Sequence, residues 1–256
     1  MAADTFSKTP REPGAAGAEA AGLRWLAEGS DCVADVISVT DTTLVTRRYS
    51  PTPATAAAAE EAGRQLYAIH RAGAPSFGCP PEGWDGPNYI GTQRQECTPR
   101  DTWLPFYAEQ RVLPFVRSAV DNGNLDAGGA RDVERALEAA AAAPADDVEP
   151  ADGPARIHGD LWAGNLLFTT VGPRFIDPAA HGGHPETDLG MLALFGAPYI
   201  DRIFSTYAEV SGLDQGWTER IPLHQLHPLA VHATTHGPSY GVALVRAARE
   251  VIALFG

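Results

Sequence analysis

Ile157-His158-Gly159-Asp160-Leu161-Trp162-Ala163-Gly164-Asn165-Leu166-Leu167-Phe168, followed shortly by Phe175-Ile176-Asp177-Pro178, is the stretch on which the reading of this chain turns. Asp160, Asn165 and Asp177 are oxygen-bearing side chains at the ends of short apolar runs, and Gly159 and Gly164 let the backbone turn between them. Taken singly, Asp160 reads as a helix cap and Asp177 as part of an Asp-Pro turn. Taken together, the three suit a magnesium ion and a phosphate chain.

The spacing sharpens this. A carboxylate five residues before a carboxamide matches the kinase pattern of a catalytic Asp, four intervening residues and a metal-ligating Asn, with a later Asp as the second metal ligand. Phosphoryl transfer requires an alcohol to be positioned against the terminal phosphate of ATP while the developing charge is spread over magnesium and cationic donors. Asp160 is therefore the expected catalytic residue, orienting the hydroxyl and accepting its proton. Asn165 and Asp177 are the expected ligands of Mg2+.

The count of cations points to a second part of the site. Lys and Arg number 19, and Lys8 is the only lysine. It lies in Thr5-Phe6-Ser7-Lys8-Thr9, which alternates like a strand, and Glu19 opens an apolar helical segment running to Leu26. A strand Lys paired with a helix Glu is how kinases fix a lysine against phosphates, so Lys8 and Glu19 are expected to bind the nucleotide. Alone, Lys8 reads as a solvated residue near a terminus.

Outward from these elements, Val33 to Val39 and Leu44 to Thr46 read as two further strands. Pro51 and Pro53 mark a lobe boundary. Arg47 and Tyr49, just before it, are expected by position to offer contacts to the adenine. Thr55 caps a helix reaching His70, itself expected as a helix-end cation. Residues 71–101 are rich in Gly and Pro and read as a long loop beside the site, including Asn88. A helix follows from Trp103 through Val116, then an Ala-rich helix over 129–142 and an acidic loop over 143–154. His181-Gly182-Gly183-His184 reads as loop with structural histidines. In the helix from Glu186, Asp188 is placed to accept backbone donors and brace the catalytic loop. Three more helices are expected over 200–210, 221–236 and 240–255. His232 and His236 stand four apart, but Ala233 occupies the position of the glutamate a zinc protease needs, so His224, His227, His232 and His236 are read as partly buried helix residues.

Composition excludes several classes. A net charge of -13 argues against nucleic-acid or anionic-membrane partners, which require clustered Lys and Arg. The first 22 residues hold no signal-peptide core, and no apolar run nears the length of a membrane span, so cytoplasm is the expected location. Cys32, Cys79 and Cys97 show no paired spacing, and neither a disulfide framework nor a thiolate zinc site is indicated.

From about Thr5 onward the chain resembles the fructosamine (ketosamine) kinase family, whose fold is related to that of aminoglycoside and choline kinases. The residues that carry the likeness are Phe6-Ser7-Lys8-Thr9, Glu19 to Leu23, Gly63-Arg64-Gln65-Leu66, Asn88-Tyr89-Ile90-Gly91, Trp103 with Phe106 to Arg111, His158 to Asn165, Asp177-Pro178-Ala179, and Gly183-His184 to Asp188-Leu189. Trp162 discriminates: related hydroxyl kinases usually show His-Pro at positions 162 and 163. The resemblance implies an α+β, protein-kinase-like two-lobe fold. A small β-rich N-lobe is expected over residues 1–48, as strand, helix and two strands, and a large mainly helical C-lobe over 49–256. Only seven residues precede Lys8, so the Gly-rich hairpin that covers ATP phosphates in this fold is expected to be missing, and the N-lobe truncated. The implied activity is ATP- and Mg2+-dependent phosphorylation of the 3-hydroxyl of free or protein-linked ketosamines, fructosamines or ribulosamines, as protein repair. Trp162 and Asn88 are the expected substrate contacts, Trp162 by stacking on the sugar. The alternatives are a kinase of another small alcohol, such as an aminoglycoside or choline, and a non-catalytic binder that kept the fold.

Overall fold

The computed structural model describes residues 4–214 and 216–256. Thr5–Lys8 (β1), Val36–Val39 (β2) and Leu44–Arg47 (β3) make an antiparallel sheet in the order β1-β3-β2, with Lys8 opposite Leu44. Ala15–Ala27 (α1) packs on this sheet. Its Ala16, Ala20, Leu23 and Leu26 recur at helical spacing, and all four are buried. The helix starts four residues before Glu19, because Gly14 in a left-handed conformation (φ 79°) turns the chain into it.

Ala56–Arg71 (α2) begins at Thr55, whose hydroxyl accepts from the Ala58 N–H at 3.2 Å. It runs against Ile200–Ser211 (α7), and Gly63 permits the close approach: a Cβ there would stand 2.5 Å from the Ile203 carbonyl oxygen. The stretch 71–101, expected as loop, contains a short hairpin of Asn88–Ile90 (β4) and Gln93–Gln95 (β5). Next come Trp103–Phe106 (α3), a π-helical turn over Tyr107–Val112, and Leu113–Asp121 (α4). Pro105 and Pro114, which lack an N–H, bracket the widened turn.

Two further pairs of strands carry the central motif. Ala155–Ile157 (β6) pairs with His181–Gly183 (β9), and Leu166–Thr169 (β7) pairs with Gly172–Phe175 (β8), all antiparallel. Residues 181–183 are therefore a buried strand, not the loop that their glycines suggested. Gly182 lies so close to the Ser76 carbonyl that a side chain has no room. Ala127–Ala142 (α5), Pro185–Phe195 (α6), Trp217–His236 (α8) and Pro238–Phe255 (α9) complete the helical body.

The apolar interior forms two clusters. One joins Trp103, Tyr107 and Phe115 to α5, α8 and α9. The other joins Leu23, Leu26 and Leu44 to Leu66, Ile69, Leu161 and Phe175. This second cluster draws residues from both sides of position 48, which bury one another. With fully buried Leu and Phe side chains worth about 1.5–3 kcal/mol each, this shared cluster fixes β3 and α1 against the catalytic loop. His224 and His227 are fully buried on α8 rather than partly so. No helix among the described residues is long and apolar enough to cross a membrane.

Candidate active site

The loop after β6 is held from below by Asp188, in the first turn of α6. Its two carboxylate oxygens accept from the backbone N–H of His158 at 2.7 Å and of Gly159 at 2.9 Å. Burial works against this charge, but hydrogen bonds from His70 and the loop overcome it and hold the Asp188 carboxyl below the usual range. Gly159 has φ 77°, and a Cβ there would collide with the Ala179 carbonyl. A glycine is needed at that turn.

His158 fastens this loop to the strand that carries Asp177. Its Nε2 lies 2.8 Å from the Ile176 carbonyl, which can only accept, so Nε2 carries the proton and Nδ1 receives the Asp160 N–H at 3.3 Å. Burial lowers the His158 pKa, consistent with this neutral ring. The Ala179 N–H closes the loop onto the His158 carbonyl at 2.9 Å.

Above this frame the oxygen-bearing residues converge. Asn165 Nδ2 donates to the Asp160 carbonyl at 2.8 Å and to Asp160 Oδ2 at 3.1 Å. Lys8 Nζ sits 2.5 Å from Glu19 Oε2 and 2.9 Å from Asp177 Oδ1. Asp177 has φ 53°, a left-handed conformation uncommon for any residue but glycine and unusual before a proline. That local strain turns its carboxylate away from β8 and toward Lys8. Lys8, Glu19, Asp160, Asn165, Asp177, Trp162 and Asn88 all line one cleft of about 590 Å3.

Electrostatics follow from crowding four ionisable groups in a half-buried space. Burial, opposed by the Asn165 amide and assisted by Asp177 and Asp188, pushes the Asp160 carboxyl up to about 7. Burial likewise lifts Glu19 to about 7 against the pull of Lys8. For Lys8, desolvation is outweighed by Glu19 and Asp177, and its pKa is raised. The site therefore holds a charged ammonium beside carboxyls poised near neutrality.

Trp162 is 42% exposed, and its indole lies flat over Gly164, where any Cβ would strike the ring. Asn88, which also lines the cleft, is buried and donates from Nδ2 to the Ala180 carbonyl at 3.0 Å. Arg47 and Tyr49 stand apart from this group. Arg47 pairs with Asp35 at 2.6 Å, the Tyr49 hydroxyl reaches the same carboxylate at 3.2 Å, and neither lines the cleft. At the end of β3 and just beyond it, both side chains turn toward the segment before β2.

His70 also differs from expectation. It is 4% exposed and bridges Tyr207, at 2.8 Å from Nδ1, to Asp188, at 3.0 Å from Nε2. A terminal helix position suggested a solvated cation, whereas the packing of α2 on α7 and α6 buries it. Its role was not readable from sequence, because Asp188 lies 118 positions away.

A family model described as fructosamine kinase matches residues 12–253. A probable ketoamine kinase of Enterococcus faecium is 32% identical over 179 residues, covering 68% of this chain and 60% of that protein. The match therefore spans about 60% of that relative's length. A probable ketoamine kinase of Thermus thermophilus is 32% identical over 235 residues, covering 92% of this chain and 82% of that protein. Among solved structures, a candidate fructosamine-3-kinase of Thermobifida fusca is 47% identical with a TM-score of 0.87, covering 97% of this chain and 85% of that one. The α+β two-lobe kinase architecture is thus common to both. With so much of its length matched by the family model, the chain belongs to the fructosamine kinase family.

Proposed function

We propose that the chain transfers the terminal phosphoryl group of ATP to the 3-hydroxyl of a ketosamine, a fructosamine or ribulosamine, in a magnesium-dependent repair reaction. The observation that carries this reading is the meeting of Lys8, Glu19, Asp160, Asn165 and Asp177 in one cleft.

The donor set fits magnesium. Asn165 turns its Nδ2 toward Asp160, so Oδ1 is available as a ligand, and Asp177 has a second oxygen not engaged by Lys8. Amide and carboxylate oxygens are the donors this hard cation takes. When bound, the ion neutralises charge on the transferring phosphate.

The protein residues take the remaining tasks. Lys8, oriented by Glu19, pairs with nucleotide phosphates. Asp160 orients the incoming hydroxyl and takes its proton, a role suited by a carboxyl whose pKa lies near neutrality. Trp162 offers an aromatic face to the sugar, and Asn88 contributes to the same cleft. Phosphorylation at that position destabilises the sugar-amine linkage, so the product sheds its sugar.

The test is an ADP-release assay with a fructosamine and with a ribulosamine. Asp160→Asn is expected to lower the rate by about 10²–10⁴-fold, as for loss of a general base. Wild-type and variant rates that both equal the substrate-free background reject the reading.

A further inference from the structure

The β4–β5 hairpin borders two openings. Its Asn88 lines the candidate active site and also an adjoining groove of about 710 Å3. That groove is walled by the hairpin, the segment leading into it, the π-helical turn and α4, and its volume lies in the range of ligand sites.

Two buried amides line this groove with their hydrogen bonding incomplete. Asn88 and Gln95 are register partners, directly opposite each other across the hairpin, so their side chains share one face. They are 4% and 3% exposed. Asn88 Nδ2 donates to the Ala180 carbonyl at 3.0 Å; a carbonyl only accepts, which fixes the amide and leaves Oδ1 as its other end. Gln95 turns Nε2 to His227 Nε2 at 2.9 Å. Neither Asn88 Oδ1 nor Gln95 Oε1 has a partner among the described residues. Buried acceptors are normally paired, and two on one hairpin face call for N–H donors from a ligand.

The lining charges decide which donors fit. Glu109 is matched by Arg100 at 3.1 Å. The others, Asp85 and Glu96 against Arg94 and Arg117, balance in sign and are exposed. A wall without net charge gives an ammonium no advantage over a neutral donor, and amide oxygens repel a carboxylate. The neutral N–H groups of a peptide backbone meet both conditions.

We propose that this groove binds the peptide that carries a lysine-linked ketosamine, Asn88 Oδ1 and Gln95 Oε1 accepting from its backbone N–H groups while the sugar enters the cleft. The inference rests on the phosphoryl-transfer reading and narrows its substrate to a ketosamine borne on a polypeptide. Asn88 is tethered at Ala180, on the segment that follows Asp177, so carrier and reacting sugar meet at a fixed point of the site.

ADP release is measured with two substrates that share the sugar and the alkyl amine. One is fructosyl-lysine at the centre of an N-acetylated, amidated Gly-Gly-Lys-Gly-Gly; the other is fructosyl-n-butylamine, which has no amide. The peptide is expected to show a kcat/KM at least about tenfold higher, the effect of one or two hydrogen bonds. Gln95→Met keeps the side-chain length without the amide and is expected to bring the two substrates within about twofold of each other. The ratio is read within each protein, so a general loss of rate does not mimic the effect. Equal kcat/KM for the two substrates in the wild type, or a wild-type ratio preserved in Gln95→Met, overturns the proposal. Hydrogen exchange over residues 88–97 of the wild type reads the groove without a catalytic step, and decides the matter should Gln95→Met fail to fold. Saturating glycated peptide is expected to slow it at least about twofold more than fructosyl-n-butylamine does, and equal exchange overturns the groove as the carrier site. Release of ADP with neither substrate rejects the phosphoryl-transfer reading, and the exchange comparison then still decides the groove.

Discussion

Replacing Glu186 with Gln probes the buried charge network that seats α6 behind the catalytic loop. The Glu186 side chain is only 4% exposed and is gripped by Arg220 at 2.5 and 3.0 Å. Burial by itself raises this carboxyl, but His224, Arg220 and the charge around them more than offset it, bringing the pKa down from 4.5 to about 2. At about 1.4 kcal/mol per pH unit, that displacement is worth roughly 3 kcal/mol of folding free energy. The folded-state pKa lies below the unfolded one, so the contribution is complete above about pH 4.5 and is lost as pH falls toward 2. Glu186→Gln should therefore be about 3 kcal/mol less stable at neutral pH, or some 6–12 °C lower in Tm for a chain of this size. The gap should close progressively in acid. Urea unfolding of both proteins at pH 7, 5, 4 and 3 measures it. A variant as stable as wild type at neutral pH, or a deficit that stays constant down to pH 3, refutes the reasoning.

Three further outcomes are expected. Asp188→Ala strands two buried amides and His70, and should lower stability by about 3 kcal/mol or more, read from the urea midpoint, while disordering the loop before Asp160. Gly63→Ala forces a methyl to 2.5 Å from the Ile203 carbonyl and should lower stability by about 1–3 kcal/mol through separation of α2 from α7; an unchanged midpoint contradicts the packing. Trp162→Ala removes an exposed ring at the cleft mouth, and is expected to raise KM for the ketosamine about tenfold while leaving KM for ATP within about twofold, in the same ADP-release assay.

Much of the site was legible because its signals are local. Asp160 and Asn165 are five apart, and the short β7–β8 hairpin returns the chain to Asp177. Spacing of this kind survives in one dimension. Lys8 was legible for a different reason, as the single lysine among 19 cations. Asp188 was readable as a brace because an acid in the first turn of a helix seeks backbone donors, and it finds those of His158 and Gly159. The side-chain partner of Arg47 and Tyr49 was not legible, because position along the chain does not reveal where a strand end points; Asp35 takes both.

Local chemistry, written in residue types and short spacings, determined the central motif, its oxygen donors and most of the helices, since each depends on neighbours within a turn or a hairpin. What only the tertiary structure decided is where distant groups meet: His70 with Tyr207 and Asp188, Glu186 with Arg220, and the acidic loop with His184 around a common cavity. These contacts join residues 34 to 137 positions apart. Their partners are chosen by how helices pack, and burial in the packed state, rather than any property of the isolated segment, sets the tautomers and shifted pKa values on which they depend.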